Sequence, residues 1–307
     1  MRTTAVVVNW NGGERDNLEC LASLHAQGIG SERIVFVDNA STDGSLEAVE
    51  RAYPGLCVLR NDRNEGFGAG ANQGAELALE NGAGAVLFVN NDLILEEGAL
   101  EKMERALVDH PGASIVGPRI LYKEDRARIW SAGGRLSWRQ NLTTLIGQGR
   151  SDDASFHALR EVDYVVGAAM LVERSVFAEV GFFDAAYFAY MEDVDFCLAA
   201  KASGHRTLLC GEAAAYHGGS MATGGGYSAR RKYMNGVNSV HFLRRYGSAW
   251  RWLPFLVFDV LPLPLLFVAG LFRGRGRAVL AKALGLWHGL LGRRVTAEIV
   301  QPGGTVL

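Results

Sequence analysis

The sequence predicts an α/β fold with a doubly wound, mostly parallel sheet. Over the first 110 residues, four short apolar runs rich in Val, Ile and Leu alternate with segments of helical spacing. This alternation is typical of βαβ units and of a parallel sheet with helices on both faces. Each of the four apolar runs ends in polar or acidic residues. Because ligands of such sheets bind at the carboxyl ends of the strands, the sequence predicts a ligand site along one edge.

The individual elements follow from periodicity and from stop signals. The predicted strands cover residues 4–9, 33–39, 56–61 and 85–90, and the predicted helices cover 17–27, 45–53, 69–82 and 97–110. Pro54 and Pro111 close two of these helices, and Asn81-Gly82 ends a third. Further along, we predict strands within 114–122 and 163–173, a short helix at 174–181, and helices at 191–204 and 228–247.

The charge of the chain is unevenly distributed. The net charge is −2, but residues 1–226 carry 19 Lys/Arg against 31 Asp/Glu, whereas residues 227–307 carry 12 Lys/Arg against two acids. We therefore predict two parts: an α/β domain that carries the ligand edge at 1–226, and a basic, apolar helical tail at 227–307. The N-terminal run leads straight into a strand, so we expect no secretory signal. The cysteines lack CxxC spacing and are predicted to be reduced core residues of a cytoplasmic protein.

An apolar stretch at 252–272 dominates the tail. Its length is close to that of a membrane-spanning helix, but it contains Asp259 and three prolines. We interpret it as a broken hairpin or an in-plane segment at a membrane interface. Arginines flank it on both sides, which favours an anionic membrane surface over nucleic acid as the partner. The alternatives are a soluble helical tail that packs on the domain, or a dimer interface.

The glycine-rich stretch 66–74 raises the possibility of a dinucleotide site. The dinucleotide fingerprint places its glycines in the turn directly after the first strand. Here they follow the third predicted strand, after an intervening polar segment. Close packing of a helix N-terminus that faces a ligand explains the glycines equally well.

The end of the fourth predicted strand carries Asn90, Asn91 and Asp92. A hard divalent cation bound to a diphosphate takes one or two protein carboxylates, and phosphate and water oxygens complete its shell. A single Asp flanked by amides suits this requirement without crowding like charges. The alternative is that Asp92 forms an ordinary turn or helix cap.

Three carboxylates open the predicted helix at 191–204. Glu192 and Asp195 share one face of that helix, whereas Asp193 points to another side. Mutual repulsion and partial burial would raise one pKa toward the range that a general base needs. The alternative is ordinary stabilisation of the helix dipole by acidic residues in the first turn.

His217 precedes a glycine-rich segment, residues 218–226. A histidine in that position is a candidate second metal ligand, carried by a mobile lid that the glycines allow to close. The alternative is a histidine with a structural role in the core.

Six strings occur in one order: VVVNWNG, VDNASTDGS, NEGFGAGANQG, VNND, VGFFDAAYFAYMEDVDFCLAAKASGH and YHGGS. Together they resemble the inverting GT-A glycosyltransferases of family 2, in particular the rhamnosyltransferase-like branch, over about residues 4–245. The resemblance implies that Asp193 is the catalytic base, that Glu192 holds the acceptor or orients Asp193, and that Asp92 and His217 bind the metal. Asn90 replaces the first acid of the family's Asp-x-Asp signature. The implied donor-nucleotide residues are Asn9, Asn11, Asp38, Arg63, Asn64 and Asn91.

The resemblance also implies a reaction. A single displacement with Mg²⁺ or Mn²⁺ would move a sugar from a nucleotide-sugar donor to a hydroxyl of a glycan or of a polyprenyl-diphosphate-linked sugar. It favours dTDP-L-rhamnose as donor and leaves UDP- and GDP-sugars open. With the basic tail, it implies a peripheral or monotopic protein on the cytoplasmic face of the membrane, without nucleic acid.

Two other classes of protein are alternatives. A nucleotide-sugar pyrophosphorylase would carry a basic glycine-rich loop after the first strand, but residues 9–17 contain only Arg15 as a basic residue. A non-catalytic sugar-binding homologue would be expected to lack a base or a metal ligand, whereas Asp92, Asp193 and His217 are all present.

Overall fold

The computed structural model describes residues 1–218 and 227–300, and within them the chain forms two compact units. The first unit contains residues 1–135, 145–183 and 193–218, and the second contains residues 136–144, 184–192 and 227–300. The helices are α1 Glu14–Ala26, α2 Ser45–Ala52, α3 Phe67–Glu80, α4 Ala99–Asp109, α5 Arg174–Val180, α6 Glu192–Ala202, α7 Ala229–Tyr246, α8 Ala249–Phe255, α9 Leu263–Leu271, α10 Gly276–Leu290 and α11 Ala297–Val300.

One mixed sheet organises the first unit. The strands are β1 Thr3–Asn9, β2 Ile34–Asp38, β3 Cys57–Arg60, β4 Ala85–Asn90, β5 Leu93–Leu95, β6 Ala113–Tyr122, β7 Ile129–Ser131, β8 Gly134–Leu136, β9 Thr143–Leu145, β10 Arg160–Glu161, β11 Ala169–Glu173 and β12 Arg206–His217. The main sheet has the order β10-β12-β6-β11-β4-β1-β2-β3, with β5 on β12 and β7 on β6. Strands β8 and β9 form a separate small sheet.

The predicted fold class is confirmed in the half of the sheet that the sequence describes most clearly. Strands β4, β1, β2 and β3 are parallel neighbours, with Asn9 in register with Asp38. Strand β1 is buried on both faces, because helices cover a parallel sheet from both sides. Its Val-rich run is therefore core, and only its carboxyl end meets the ligand edge.

Strand β11 makes the rest of the sheet mixed. It runs antiparallel between β4 and β6, and Ala169 pairs with Val89. Strands β6 and β12 are parallel to each other. This arrangement brings the loop that precedes β11 to the same edge of the sheet as the end of β4.

Helix α3 lies unusually close to the sheet because of its glycines. A Cβ at Gly74 would lie 2.4 Å from a Val6 methyl, and one at Gly70 would lie 3.2 Å from Val8 and from the Asn39 side chain. No larger residue fits at Gly74 without a shift of the helix or of Val6. Close packing therefore accounts for Gly70 and Gly74 within the 66–74 stretch.

The four cysteines are free thiols, as predicted. Three of them are buried: Cys20, Cys197 and Cys210. Burial raises the pKa of Cys197 to about 12, which keeps it a protonated core residue.

Small residues also shape the second unit, where α7 crosses α10. A Cβ at Gly285 would lie 2.2 Å from the Tyr233 carbonyl oxygen, and one at Gly236 would lie 2.5 Å from the Lys282 carbonyl oxygen. Gly289 meets Val240 in the same way, at 2.9 Å. Small residues allow two helix backbones to approach this closely, as they do at helix crossings within membranes.

The apolar stretch of the tail is one helical run. Helix α8, a π-helical turn at Leu256–Val260 and α9 follow one another, so the interpretation as a broken hairpin is wrong. Pro262 and Pro264 lie at the start of α9, where the missing N–H groups need no intrahelical partner. In the part of the chain that the structure describes, Ala249–Leu271 is long and apolar enough to cross a membrane, with a mean hydropathy of 2.0 over its most apolar window.

Asp259, the acid within that stretch, is buried rather than exposed on the apolar surface. Only 2% of it is accessible, and it forms an ion pair with Lys282 of α10, which is 5% accessible. Asn141 completes the cluster, since its N–H donates to Asp259 and its side-chain oxygen accepts from Lys282, at 3.2 and 3.0 Å. The charge that argues against a span is therefore neutralised inside the second unit.

The segment 184–192 holds strained backbone. Phe188, Tyr190 and Met191 have φ values of 60°, 70° and 78°, in the left-handed region that bulky residues rarely adopt. The buried amide of Asn238 on α7 donates to the carbonyl oxygens of Tyr187, Ala189 and Tyr190 at 3.1, 2.8 and 2.8 Å. These bonds hold the strained segment, which continues directly into the first residue of α6.

Candidate active site

Strand pairing brings Asp92 and His217 together although 125 positions separate them in the sequence. Leu93 of β5 pairs with His217 of β12, and the Gly218 N–H donates to the Asp92 carbonyl oxygen at 3.1 Å. This register sets the Asp92 carboxylate 3.0 Å from Nε2 of His217. Both residues are buried. The two predicted metal ligands thus form one pair.

The environment of this pair suits a divalent cation. Within the described residues, Nδ1 of His217 is buried without a hydrogen-bond partner, and the Trp130 ring packs 4.4 Å from the imidazole. The Asn90 amide lies 3.3 Å from Nε2. The described residues contain no group of three or more His, Cys, Asp or Glu side chains placed for a metal. A carboxylate and an imidazole leave most of a metal's coordination shell to phosphate and water, as Mg²⁺-type sites with a diphosphate require.

Asp193 is built into the start of α6 as a potential base. Its carboxylate accepts hydrogen bonds from the Gly167 N–H at 2.9 Å and from the Val194 N–H at 2.8 Å. Burial raises the pKa of Asp193, and those backbone hydrogen bonds only partly oppose the shift. A raised pKa increases the basicity of the carboxylate, as general-base catalysis near neutral pH requires.

The loop before β11 links Asp193 to the end of β4. Gly167 donates to Asp193, and the next residue, Ala168, accepts a hydrogen bond from the Asn90 N–H at 2.9 Å. Two consecutive residues of this loop therefore connect the base to the Asn90–Asp92 turn. A side chain at Gly167 would approach Phe67 and the Cβ of Asp193, so glycine keeps the approach open.

Asn9 is the centre of a buried hydrogen-bond network at the end of β1. Its amide nitrogen lies within hydrogen-bond distance of three oxygens, at 2.8 to 3.0 Å, on Asp38, Ser41 and Ser45. Its amide oxygen accepts from Gly12, Asn17 and Asn91 at 3.3, 3.1 and 2.7 Å. Asn9 is fully buried, so the geometry gives it the task of holding Asp38 and Asn91 in place.

Gly12 is essential to this network and is easily overlooked in the sequence. A Cβ at Gly12 would lie 1.8 Å from the Asn91 amide nitrogen and 2.7 Å from the Asn9 amide oxygen. The turn after β1 must therefore be glycine for Asn91 to reach Asn9. The only sequence signal is that Gly12 directly follows the polar end of the first strand.

The remaining predicted donor residues lie in the turns after β1 and β3. Asn11 has a φ of 50°, and its side-chain oxygen accepts from the Thr42 N–H at 2.8 Å. Asn64 is buried and accepts from the Gly66 N–H at 2.9 Å, which fixes the start of α3. Arg63 is exposed on the same turn, where it pairs with Glu65 at 2.6 Å and joins no buried network.

Asn39 and Asn61 are site-edge residues that the sequence reasoning did not single out. Asn39 donates to the Gly66 carbonyl oxygen at 3.0 Å and accepts from Asn61 at 2.8 Å. They tie the ends of β2 and β3 to the start of α3. Both lie in polar strand ends, which was the available signal.

Glu192 is buried at the first position of α6. The predicted glycine-rich lid falls, apart from Gly218, on residues that lie outside the described part of the chain.

Solved structures share this architecture. GalNAc-T7 with UDP, GalNAc and Mn²⁺ matches with a TM-score of 0.58 and 16% identity, over 71% of this chain and 44% of that protein. The mannosyltransferase PcManGT from Pyrobaculum calidifontis, in complex with GDP-Man and Mn²⁺, matches with a TM-score of 0.54 and 16% identity, over 96% and 77%. The likeness defines the class of fold, which is GT-A.

The sequence comparison defines the family. Residues 4–181, more than half of the chain, match the family described as glycosyl transferase family 2, and the chain belongs to it. A similar curated protein is the N-acetylglucosaminyl-diphospho-decaprenol L-rhamnosyltransferase of Mycobacterium tuberculosis, at 27% identity over 252 residues, which cover 75% of this chain and 81% of that protein. The resemblance to family 2 and its rhamnosyltransferase-like branch is confirmed.

Proposed function

We propose that the protein is a metal-dependent inverting hexosyltransferase that moves L-rhamnose from dTDP-L-rhamnose to a polyprenyl-diphosphate-linked sugar. One observation carries this proposal: a half-buried carboxylate with a raised pKa, Asp193, is linked through two residues to the turn that bears the Asp92–His217 pair. A base and a site for the leaving diphosphate at one strand end are what a single displacement requires.

The residues divide the work as follows. Asp193 accepts the proton of the acceptor hydroxyl as that oxygen attacks the anomeric carbon from the face opposite the nucleotide. The Gly167 and Val194 N–H groups hold the carboxylate in one orientation during this transfer. A cation bound by Asp92 and His217 would neutralise charge on the departing diphosphate. Glu192 orients Asp193 or holds the acceptor.

The donor nucleotide is proposed to bind along the ends of β1, β2 and β3. Asp38, Asn11, Asn64 and Arg63 would contact the base and ribose, and Asn9 would act with Asn91 as the support behind them. Among these residues, exposed Arg63 has the reach to fold over a bound base. The preference for dTDP-L-rhamnose rests on the mycobacterial relative, which is an L-rhamnosyltransferase.

The acceptor and the location are proposed from the tail. Ala249–Leu271 exposes many apolar side chains, and arginines flank the run at both ends. A protein anchored in this way on the cytoplasmic face of the membrane would reach an acceptor carried by a lipid. The diphospho-decaprenol acceptor named for the relative has that chemistry.

Thermal stabilisation by donors tests the substrate class. We expect dTDP-L-rhamnose with Mn²⁺ to raise the Tm more than UDP-glucose or GDP-mannose does, because a ligand stabilises the folded state in proportion to its affinity. EDTA should abolish most of the shift. A larger shift with a UDP- or GDP-sugar would overturn the donor assignment, and donor binding without transfer to any lipid-linked acceptor would favour a non-catalytic homologue.

The metal role is tested separately with Asp92→Asn. We expect this variant to need far more Mn²⁺, by about 100-fold, to reach half of its maximal donor-induced stabilisation, because it loses a charged ligand. Asp109→Asn, an exposed acid at the end of α4, is the matched control and should titrate like wild type. Equal Mn²⁺ requirements for both variants would remove Asp92 from the metal site.

A further inference from the structure

A cationic cavity lies wholly within the second unit, at the C-terminal end of α10. Its volume is about 130 Å³, far above the roughly 15 Å³ that one water molecule needs. Four basic side chains line it: His241 and Arg244 from α7, and Arg293 and Arg294 from the segment after α10. None of its lining residues is acidic. Its lining includes none of the residues assigned above to the donor, the metal or the base.

The arginines of this cavity retain unused donors. Arg244 donates to the Leu290 carbonyl oxygen at 2.7 Å, and Arg293 lies 3.3 Å from Nε2 of His288. Within the described residues, neither of them nor Arg294 forms an ion pair with a carboxylate. A guanidinium has five N–H donors in a planar fork, which matches phosphate oxygens. His241 differs, because it pairs with Asp184 at 3.1 Å.

Two glycines form part of the cavity wall. Gly289 and Gly292 contribute to its lining. Gly292 has a φ of 75°, which turns the chain after α10 so that Arg293 and Arg294 join the lining.

Exposed apolar side chains also lie at the same end of α10, next in sequence to the lining residues Gly289 and Gly292. Trp287, Leu290 and Leu291 are 58%, 49% and 53% exposed, although each is large and hydrophobic. A cluster of guanidinium groups beside an exposed apolar strip fits a ligand with an anionic head and a hydrocarbon chain. A soluble anion would use only the first of these features.

We propose that this cavity binds the diphosphate of an isoprenoid-linked acceptor, with the first isoprene units lying on Trp287, Leu290 and Leu291. The identity of the ligand as the acceptor rests on the proposed function, whereas the anion site rests on the cavity alone. The recognised chemistry is a diphosphate ester, and its charge is matched by Arg244, Arg293 and Arg294.

Binding to the full-length protein in neutral detergent micelles tests the proposal. The probes are farnesyl diphosphate, inorganic diphosphate and farnesol, with EDTA present so that diphosphate does not bind through a metal at Asp92. We expect R293A/R294A to weaken farnesyl diphosphate binding at least about tenfold, since charge-assisted bonds to phosphate are lost. The matched control R51A/R105A removes two exposed arginines of α2 and α4, outside the cavity and the tail, and should change binding less than about twofold.

Several results would overturn the site. Equal losses in both double variants would mean that general surface charge attracts the ligand. Farnesol binding as tight as farnesyl diphosphate binding would eliminate the anion site. If inorganic diphosphate binds as tightly as farnesyl diphosphate, the apolar strip is not part of the site. If phosphatidylglycerol added to the micelles competes fully, the site binds membrane headgroups instead. R293K/R294K keeps the charge and should retain partial binding, and unchanged Tm values establish that the variants are folded.

Transfer measurements separate this proposal from the function on which it rests. R293A/R294A should raise the KM for a lipid-linked acceptor and leave the donor-induced Tm shift unchanged. If wild-type protein binds farnesyl diphosphate through these arginines but transfers no sugar, the proposed function fails and the anion site stands. If transfer occurs and the acceptor KM is the same in both double variants, the cavity is not the acceptor site.

Discussion

The edge of the sheet and the helical tail both hold acidic side chains away from bulk solvent, and they stabilise those side chains differently. At the sheet edge, Asp38 and Asp193 accept hydrogen bonds from neutral donors, namely the Asn9 side-chain amide and backbone N–H groups. In the tail, Asp259 is matched by the opposite charge of Lys282. Neutral donors leave a carboxylate negative and able to react, whereas an ion pair cancels it. Neutral donors around a carboxylate therefore suit a reactive site, whereas a buried ion pair suits a structural role.

The largest expected effect concerns Asp193, at the edge of the sheet. Asp193→Asn should lower transfer about 10³-fold, within the range for loss of a general base, while donor binding is retained. Wild-type activity requires the ionised carboxylate, so the rate should fall as the pH drops through the raised pKa of Asp193. The measurement is a pH–rate profile of both proteins. If the variant transferred sugar at the wild-type rate, the base would lie elsewhere.

Asp193→Asn should lower the rate of transfer, but it should not lower the stability of the fold. The folded-state pKa of Asp193 is raised above its unfolded value, so folding binds a proton and stability falls as the pH rises through that window. At pH 7 the carboxylate is therefore destabilising, and Asn should leave the Tm equal or higher. A lower Tm for Asp193→Asn than for Asp109→Asn would contradict this.

The helical tail should lose stability when one charge of the Asp259–Lys282 pair is removed. Asp259→Leu leaves Lys282 as an unpaired charge in the interior and should lower the free energy of unfolding by about 3–5 kcal/mol. Urea denaturation in detergent measures this loss. The double variant Asp259→Leu/Lys282→Met removes both charges and should recover most of that loss. The double variant is the control, because it separates the unpaired charge from altered packing. A double variant as unstable as the single one would show that packing dominates.

The neutral network at the sheet edge should respond less strongly. Asn9→Ala removes a buried hub and leaves several donors and acceptors unpaired, which we expect to cost about 2–3 kcal/mol in the free energy of unfolding. Asn11→Ala is the matched control in the same turn, and we expect about 1 kcal/mol or less because its bond to the Thr42 N–H is exposed. Equal losses for both would mean that Asn9 is not the centre of the network.

The smallest stability effect is expected on the exposed surface of the tail. Leu265→Ser and Phe272→Ser change side chains that are 74% and 87% exposed, so unfolding in neutral detergent should change by about 0.5 kcal/mol or less. Membrane binding should nevertheless weaken, as vesicle flotation would reveal. Val108→Ser, at 69% exposure on α4, is the control and should float like wild type. Unchanged flotation of the tail variants would argue against a membrane-facing role.

The sequence predicted the parallel half of the sheet well because its signals are local. The runs at β1, β2, β3 and β4 are apolar, short and closed by polar residues, and the helices between them have clear stops. Strands such as β5 and β10, with three and two residues, carry no period and were missed. The direction of β11 depends on pairing with strands far away in the chain, so no local pattern reports it.

For the candidate site, the sequence supplies a list of residues but not their arrangement. The pairing of Asp92 with His217 was expected, yet the strand register that creates it is a long-range property. The sequence also gives no sign of whether a polar side chain at a strand end points to the ligand or inward. Asn9 points inward, and its predicted contact with the nucleotide stays a prediction. For Asp259, the missing information was the partner that removes its charge.

The pairing of Asp259 with Lys282 has a consequence for biosynthesis. Asp259 leaves the ribosome as an isolated acid within an apolar segment, and Lys282 follows 23 residues later. Until α10 has been synthesised, the segment therefore carries an acid without its partner. The buried ion pair forms only when both helices are present, so the segment and α10 reach their final packing together.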